Sequence, residues 1–551
     1  VSPARRRLVV VSPGSRSTPL VLAFAAEPSF ELVDVIDERA AAFFALGHAR
    51  ATGEAAIVLA TSGTAPAHWY PAILEAEAAG LPLVCVSANR PTSLMGCGAP
   101  QTLDQHGLFG QHVRFFADLG DPRADAGWLR HAERTVRRAL AASAEGPVHL
   151  DVRFEKPLEP SEPADATDLA AQSVAAALAE RAGPAISLGP PALPALGRLA
   201  RRIAEAEAPI VLAGPLPVWR DPTPIAALAE ALGAPLAAEW ASQLRGPAAL
   251  HTLDLLLGTG TLPPFDLVLQ FGATPTPSAY ERWVQAGGRP LPRIAIGRAI
   301  ADAAGTAEEI VLADPSEVAA ALGDMLPARP ARAPGALSAL EQRARAAIAA
   351  ATDAAPFSEG AAARAAFASV PAGGQILLGN SLPIRLADRH AHAAAKGIAI
   401  LVQRGANGID GLVAGALGAA HRGRPTLAIL GDVTTLHDVG SFALARRLDA
   451  PLVLLVLDNG GGRIFEQLPL GARADLASAL PHFTTEHGVA LAEVARAFGL
   501  RAAVHERLDT LVPALAEAFA GGGTTVLVAR TPPHDAVLRE RRIRELVHAL
   551  R

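Results

Sequence analysis

Two side chains in the last third of the chain have the types and spacing of a divalent-cation site. The apolar run Thr426–Leu430 ends in Gly431-Asp432, and the next, Leu452–Leu457, ends in Asp458-Asn459-Gly460-Gly461-Gly462. Asp432 and Asn459 are 27 positions apart, across one strand–helix–strand unit whose helix is expected over roughly His437–Arg447. Strands joined by a crossover helix run parallel and end at one edge of the sheet, so the spacing predicts that both side chains share that edge. A carboxylate and an amide oxygen there suit Mg²⁺, which keeps phosphate oxygens and water in its remaining positions. The glycines allow backbone to approach a diphosphate, and helix N-termini add positive dipole. For Asp432 alone the plainer alternative is a helix cap; the paired spacing favours a metal. No G-x-G-x-x-G follows any strand, which argues against a dinucleotide fold.

The elements that must carry these residues alternate strand, loop and helix. Leu8–Val11, Glu31–Ile36, Ala56–Ala60 and Leu83–Ser87 read as strands in the first block. Pro209–Ala213, Leu267–Phe271, Arg293–Ile296 and Glu309–Leu312 form a second set, and Gln375–Leu378, Thr426–Leu430, Leu452–Leu457 and Thr525–Ala529 a third. Strands alternating with helices predict parallel βαβ units, hence an α/β chain of three open parallel sheets. Pro-rich stretches at Glu155–Asp165, Pro184–Pro194 and Pro327–Pro334 read as linkers. In such sheets ligands bind where strands end and helices begin, so the chemistry is expected in those loops.

The chain has 551 residues, half of them hydrophobic and 19% charged, which excludes global disorder. Its 49 basic against 54 acidic residues give a net charge of −5, unlike a protein that coats nucleic acid or an anionic membrane. No apolar run reaches a membrane span, and Leu8–Val11 is too short for the core of a signal peptide. Two cysteines, Cys85 and Cys97, cannot build a disulfide scaffold and suit a reducing cytoplasm. A cytoplasmic enzyme with neither nucleic-acid nor membrane partner is expected.

Gly431-Asp432 followed after 26 residues by Asn459 resembles the signature of enzymes that hold thiamine diphosphate between two domains. Further motifs sharpen this. They are Ser12-Pro-Gly-Ser-Arg-Ser-Thr-Pro19, Asp37-Glu38-Arg39, Thr61-Ser-Gly-Thr-Ala65, and Asn89-Arg-Pro91 with Cys97-Gly-Ala-Pro-Gln101. Gly379-Asn-Ser381, Arg404-Gly-Ala-Asn-Gly-Ile-Asp-Gly411 and Asn459-Gly-Gly-Gly-Arg-Ile-Phe465 follow in the last third. Together they resemble the 2-succinyl-5-enolpyruvyl-6-hydroxy-3-cyclohexene-1-carboxylate synthases of menaquinone biosynthesis. The resemblance covers nearly the whole chain and is most specific in the two terminal thirds.

That resemblance implies a transferase that joins 2-oxoglutarate, with loss of CO₂, to isochorismate. Its cofactors would be thiamine diphosphate and Mg²⁺ or Mn²⁺. It would be a homodimer or dimer of dimers whose sites are shared between subunits. A pyrimidine-binding domain would span 1–180, a central α/β domain 185–330 and a diphosphate- and metal-binding domain 350–551. Glu38 would face the cofactor's aminopyrimidine and promote its imino tautomer, a task that position alone leaves open against a dipole-stabilising acid of a helix first turn. Ile409 would be the apolar wedge that bends the cofactor. Asn380, Ser381, Gly431, Thr434 and Ile464 would also touch the cofactor. Asp432, Asn459 and the Gly461 carbonyl would ligate the metal. Each substrate is a dicarboxylate, and Arg16, Arg90, Arg385 and Arg404 would meet carboxylates, because guanidinium pairs bidentately with them. Ser15, Gln101, Ser381 and Phe465 complete the implied substrate set, and Gln101 and Arg385 join Glu38 as implied catalytic residues. Two departures stand out. Pro100 precedes Gln101 where the family has Asn, and 272–280 holds no lysine where the family carries one facing substrate; either affinity is weaker for the missing cation or Arg282 compensates.

Two other functions share part of this pattern. A different thiamine-diphosphate decarboxylase or carboligase would keep Glu38, Asp432 and Asn459 but would not need the arginines. A non-catalytic homologue would have lost Glu38 or a metal ligand.

Overall fold

The computed structural model describes residues 6–180, 193–257, 259–286, 290–330, 334–354, 357–391 and 397–550. The chain forms two compact units. The first comprises Val1–Ser187, Gln403–Arg422 and His437–Leu448; the second comprises Leu188–Val402, Gly423–Leu436 and Asp449–Arg551.

The first unit is organised by six parallel strands: β1 (Arg7–Val11), β2 (Phe30–Asp34), β3 (Ala56–Ala60), β4 (Leu83–Asn89), β5 (Phe115–Asp118) and β6 (Pro147–Arg153), in the order β2-β1-β3-β4-β6-β5. The inner strands are apolar and β-branched because helices cover both faces of a parallel sheet. The helix Ala166–Ala179 packs into this sheet's core through Ala170, Val174 and Leu178, so the Pro-rich stretch before it lies inside the first unit. The second predicted linker lies almost wholly outside the described residues.

The helix Glu38–Thr52 follows β2. Asp37 caps it, its carboxylate accepting from the Arg39 and Ala40 N–H groups at 2.8 and 3.2 Å, and Gly53 ends it with φ 74°. Its residues from Ala40 to Arg50 are all buried, part of that by the helix Leu412–Ala420 of the same unit. The two backbones nearly touch: a Cβ on Gly47 would overlap the Gly415 carbonyl, and one on Gly418 would overlap that of Phe44. Only glycine permits this approach.

The second unit holds two sheets. β7 (Pro209–Ala213), β8 (Leu236–Ala238), β9 (Leu267–Phe271), β10 (Arg293–Gly297) and β11 (Ala307–Leu312) are parallel, in the order β11-β10-β9-β7-β8. β12 (Gln375–Leu378), β13 (Ala399–Val402), β14 (Thr426–Gly431), β15 (Leu452–Asp458), β16 (Arg501–His505) and β17 (Thr524–Arg530) follow, in the order β13-β12-β14-β15-β17-β16. This last order repeats that of the first sheet, strand for strand.

The sequence reading found twelve of these strands and missed β5, β6, β8, β13 and β16. β6 was hidden because His149, Asp151 and Arg153 interrupt its apolar pattern, yet the whole strand is buried. Partners compensate for that burial: His149 lies 2.7 Å from Ser87 Oγ, Asn89 donates to Asp151 at 2.9 Å, and Arg153 pairs with Asp118 at 2.6 Å. The helix expected over His437–Arg447 is also corrected. It begins at Asp432 and stops at His437. The Asp438 carboxylate then accepts from Ser441 Oγ at 2.8 Å and Ala414 N–H at 2.9 Å, and only the short turns Val439–Ser441 and Phe442–Ala445 follow. Among the described residues no helix is long and apolar enough to cross a membrane.

Candidate cofactor and substrate site

In the second unit, β14 and β15 are neighbours with Gly431 opposite Leu457, so Asp432 and Asn459 emerge at the same sheet edge. Asp432 opens a helix and is buried; burial pushes its carboxyl above the usual carboxylate range, against the pull of its hydrogen bonds. Its oxygens accept from the Val433 N–H at 2.7 Å and the Gly461 N–H at 2.8 Å, and His487 Nε2 lies 3.3 Å away. Gly461 has φ 147°, and a Cβ there would overlap the Thr484 carbonyl, so no other residue fits this crossing. Its own carbonyl accepts from the Arg463 N–H at 2.9 Å and keeps a second lone pair.

Asn459 is buried and donates through Nδ2 to Glu359 at 2.9 Å, while its Oδ1 is buried with no partner among the described residues. A buried amide oxygen without a donor is costly, and a bound cation would satisfy it. The residues therefore fit a divalent metal. Sequence reasoning missed three neighbours. Ligand atoms of Asp458 and His487 lie within 4.8 Å of that of Asp432 and of each other. Glu359 is buried, and burial pushes its carboxyl up to about 8. No motif announces His487 or Glu359; they reach this edge through the fold alone.

The other residues expected on this unit occupy strand-end loops. Asn380 is buried just past β12, and Ser381 takes φ 70° at the entry to the helix Leu382–His390. Thr434 is buried on the helix that Asp432 opens, whereas Gly431 is half-buried. Arg385 is exposed and donates to the Ser381 carbonyl at 2.6 Å. It lines a cavity of about 160 Å³ together with Arg282, Arg389 and Gln467. Arg282 reaches Ser278 Oγ at 2.8 Å, on the lysine-free stretch. Ile464 and Phe465 are half-buried in the turn Arg463–Gln467, and the Phe465 ring lies 5.5 Å from that of Phe483.

The first unit brings together a second group. Arg16 is buried in the turn Ser15–Ser17 after β1 and donates to the Phe154 carbonyl at 2.8 Å; Ser15 is exposed. Arg90, just past β4, donates to Ser62 Oγ at 3.0 Å and to the Pro100 carbonyl at 3.1 Å. Gln101, held at φ 57°, donates to the Ser62 carbonyl at 3.4 Å. Burial, then the repulsion of Arg90, holds Arg16 below the usual arginine range. Two guanidinium groups gathered so closely suit an anionic ligand. Arg404 is half-buried; the next two N–H groups, of Gly405 and Ala406, donate to the buried Glu75 carboxylate at 3.0 and 2.6 Å, and Glu75 pairs with Arg50 at 2.9 Å. Ile409 is half-buried in the same loop. Glu38 is the half-buried first residue of its helix, and no hydrogen bond or ion pair among the described residues engages its carboxylate.

Two family models match the chain: thiamine pyrophosphate enzyme, N-terminal TPP binding domain, over residues 4–108, and the corresponding C-terminal TPP binding domain over 390–529. The 2-succinyl-5-enolpyruvyl-6-hydroxy-3-cyclohexene-1-carboxylate synthase of Myxococcus xanthus is 39% identical over 543 residues, covering 94% of this chain and 90% of the relative. The enzyme of that name from Sorangium cellulosum is 37% identical, covering 98% and 92%. Among solved structures, the benzoylformate decarboxylase of Polynucleobacter necessarius superposes with a TM-score of 0.70 over 96% of both chains at 17% identity, a likeness of fold. The metal-edge and arginine-edge residues thus sit in a thiamine-diphosphate enzyme, and the chain belongs to the family of 2-succinyl-5-enolpyruvyl-6-hydroxy-3-cyclohexene-1-carboxylate synthases.

Proposed function

We propose that this enzyme joins 2-oxoglutarate, with loss of CO₂, to isochorismate, giving 2-succinyl-5-enolpyruvyl-6-hydroxy-3-cyclohexene-1-carboxylate in menaquinone biosynthesis. The observation that carries the reading is the buried Asp432 carboxylate at the same sheet edge as the Asn459 amide oxygen, which has no partner among the described residues, in a chain aligned along nearly its whole length with these synthases. Thiamine diphosphate, when bound, supplies the electron sink that decarboxylation of a 2-oxoacid requires. The chain's own residues bind, orient and move protons.

Asp432, Asn459 and the Gly461 carbonyl would hold Mg²⁺ or Mn²⁺, with Gly431, Asn380, Ser381 and Thr434 around the diphosphate. Ile409 and Ile464 would pack against the cofactor. Glu38 would keep a proton in exchange with the aminopyrimidine ring nitrogen, a general acid–base role that a carboxyl without partners among the described residues can perform. Arg16, Arg90 and Gln101, with Ser15, would receive carboxylates of one substrate at the first unit's edge; Arg385, Arg404, Ser381 and Phe465 would complete the substrate site. Gln101 and Arg385 would stand at the reacting atoms. The three blocks 1–180, 185–330 and 350–551 would be the pyrimidine-binding, central, and diphosphate- and metal-binding domains.

Glu38 belongs to the first unit and Asp432 to the second. We assign them to sites shared across a homodimer, which can pair further into a dimer of dimers. Two unpaired cysteines, Cys85 buried and Cys97 exposed, support a cytoplasmic location. The test is CO₂ release from 2-oxoglutarate with and without isochorismate. Release that depends on isochorismate and yields the coupled product is expected. Equal release without isochorismate would make the enzyme a simple 2-oxoacid decarboxylase.

A further inference from the structure

An asparagine ligates a hard cation only through its oxygen, yet its side chain can turn so that the NH₂ group occupies the same place. Something must choose the orientation. At this site the choice is visible. Asn459 Nδ2 donates to Glu359 Oε1 at 2.9 Å, which leaves Oδ1 buried and without a partner among the described residues. Reversing the amide would break this hydrogen bond and bury an NH₂ group where Oδ1 now lies.

Glu359 is well placed to impose this. It is 1% exposed, and it opens the helix Glu359–Ser369 behind Ser358, whose hydroxyl accepts from the Ala361 N–H at 3.1 Å. The next residue, Gly360, presses on His390: a Cβ there would lie 2.6 Å from the ring. The helix entrance therefore has no room to slide. Glu359 arrives from 100 positions earlier in the chain; its Oε1 meets the amide nitrogen, and its Oε2 is buried with no partner among the described residues.

We infer that Glu359 is a positioning residue for the cation site: by accepting from Asn459 Nδ2 it fixes the amide so that Oδ1 faces the metal. The inference rests on the reading of Asn459 as a ligand. The role needs a carbonyl-type acceptor rather than a charge, so glutamine can stand in for it. Partners that orient metal ligands in this way typically contribute ~10–100-fold in metal affinity.

The experiment measures Mn²⁺ affinity in the presence of thiamine diphosphate, from the electron paramagnetic resonance signal of free Mn²⁺. Glu359→Leu is expected to weaken binding ~10–100-fold and Glu359→Gln by no more than about threefold. In an Asn459→Ala background, Glu359→Leu should add no further loss, because the two residues act as one unit. Thermal unfolding without Mn²⁺ checks the fold, and Glu359→Met repeats the measurement if the leucine variant does not fold. Wild-type affinity in the leucine or methionine variant overturns the inference. So does a glutamine variant as weak as leucine, which would mean that charge rather than orientation matters. Additive losses in the double variant overturn it as well. If Asn459→Ala itself binds Mn²⁺ like wild type, the ligand reading falls and the inference with it; loss in Asn459→Ala without loss in Glu359→Leu sinks the inference alone.

Discussion

The first and third sheets place an asparagine at the same topological point and use it differently. Asn89 ends β4 and Asn459 follows β15, the fourth strands in sheets of identical order. In both, a buried acid accepts from the side-chain NH₂ at 2.9 Å: Asp151 in the first sheet and Glu359 in the third. In both, burial raises that acid, Asp151 to about 7 and Glu359 to about 8. The difference is the other end of the amide. Asn89 Oδ1 accepts from the Arg90 N–H at 2.8 Å, whereas Asn459 Oδ1 is left without a partner among the described residues. One amide is spent holding a turn that carries an arginine; the other is left open to a ligand. A repeated frame thus carries two hydrogen-bond patterns at one topological point.

The largest expected effect tests whether the two frames serve one reaction. Glu38→Gln should lower turnover by ~10²–10⁴ while cofactor affinity stays near wild type. Asp432→Ala should remove metal-dependent cofactor binding, and calorimetry showing unchanged thiamine-diphosphate affinity would end the metal assignment. Each variant alone should be nearly inactive. Mixed under subunit exchange, they should recover roughly a quarter of wild-type activity, since half the dimers are mixed and one of their two sites carries no lesion. Proven exchange without recovery would place both groups in one chain.

The arginine edge comes next. Arg90→Ala should lower kcat/KM about 10–100-fold, the usual loss of a hydrogen bond to a charged group, with little change in unfolding temperature. Near-normal kinetics for both substrates would return Arg90 to a structural role in the first sheet alone.

The buried acids offer a third test, through pH. Asp151 is raised above its unfolded value, so its protonated form stabilises the fold. That stability is fully present below the unfolded carboxyl range and is lost as pH rises through about 7, because the unfolded chain releases its proton first. Asp118, Arg153, His106 and Asn89 all act on it, and burial pushes the neighbouring His149 down to about 3, which gives an opposite trend on the acid side. Comparison with Asp151→Asn removes the shared terms. Between pH 4 and 7.5, wild type should lose stability relative to the variant, on the order of 4 kcal/mol at most. A pH-independent difference in urea unfolding would show that Asp151 is already ionised in the fold.

The smallest effect separates the two asparagines directly. Saturating Mn²⁺ with cofactor should stabilise Asn89→Ala as it does wild type, by about 2.7 kcal/mol at a hundredfold excess over Kd. Asn459→Ala should lose that increment. Equal shifts in thermal unfolding would erase the distinction between the two loops.

How much of this could be read beforehand follows from where each signal lies. β14 and β15 are buried on both faces and read as unbroken apolar runs, so the edge carrying Asp432 and Asn459 was legible. Arg16, Arg90 and Gln101 were legible by resemblance, as motifs in strand-end loops. β6 was not legible, because its buried polar residues are compensated by Ser87, Asn89 and Asp118, which lie elsewhere in the chain. Glu359 escaped for the same reason: its meaning lies in an atom 100 positions away.

The glycine seam between Glu38–Thr52 and Leu412–Ala420 has a consequence for synthesis on the ribosome. The first unit needs Gln403–Arg422 and His437–Leu448, yet the chain leaves that unit at Ser187. More than 200 residues are translated in the gap, which at ~5–20 residues per second takes tens of seconds at the slower rate. Through that interval the buried face of Glu38–Thr52, including Phe43 and Phe44, lacks its partner helix. The nascent first unit is therefore expected to expose that face until the seam closes. Stalled chains released at residue 400 should be cleaved within Glu38–Thr52 by protease far faster than chains stalled past 480, and equal protection would mean that the first sheet shields the helix unaided.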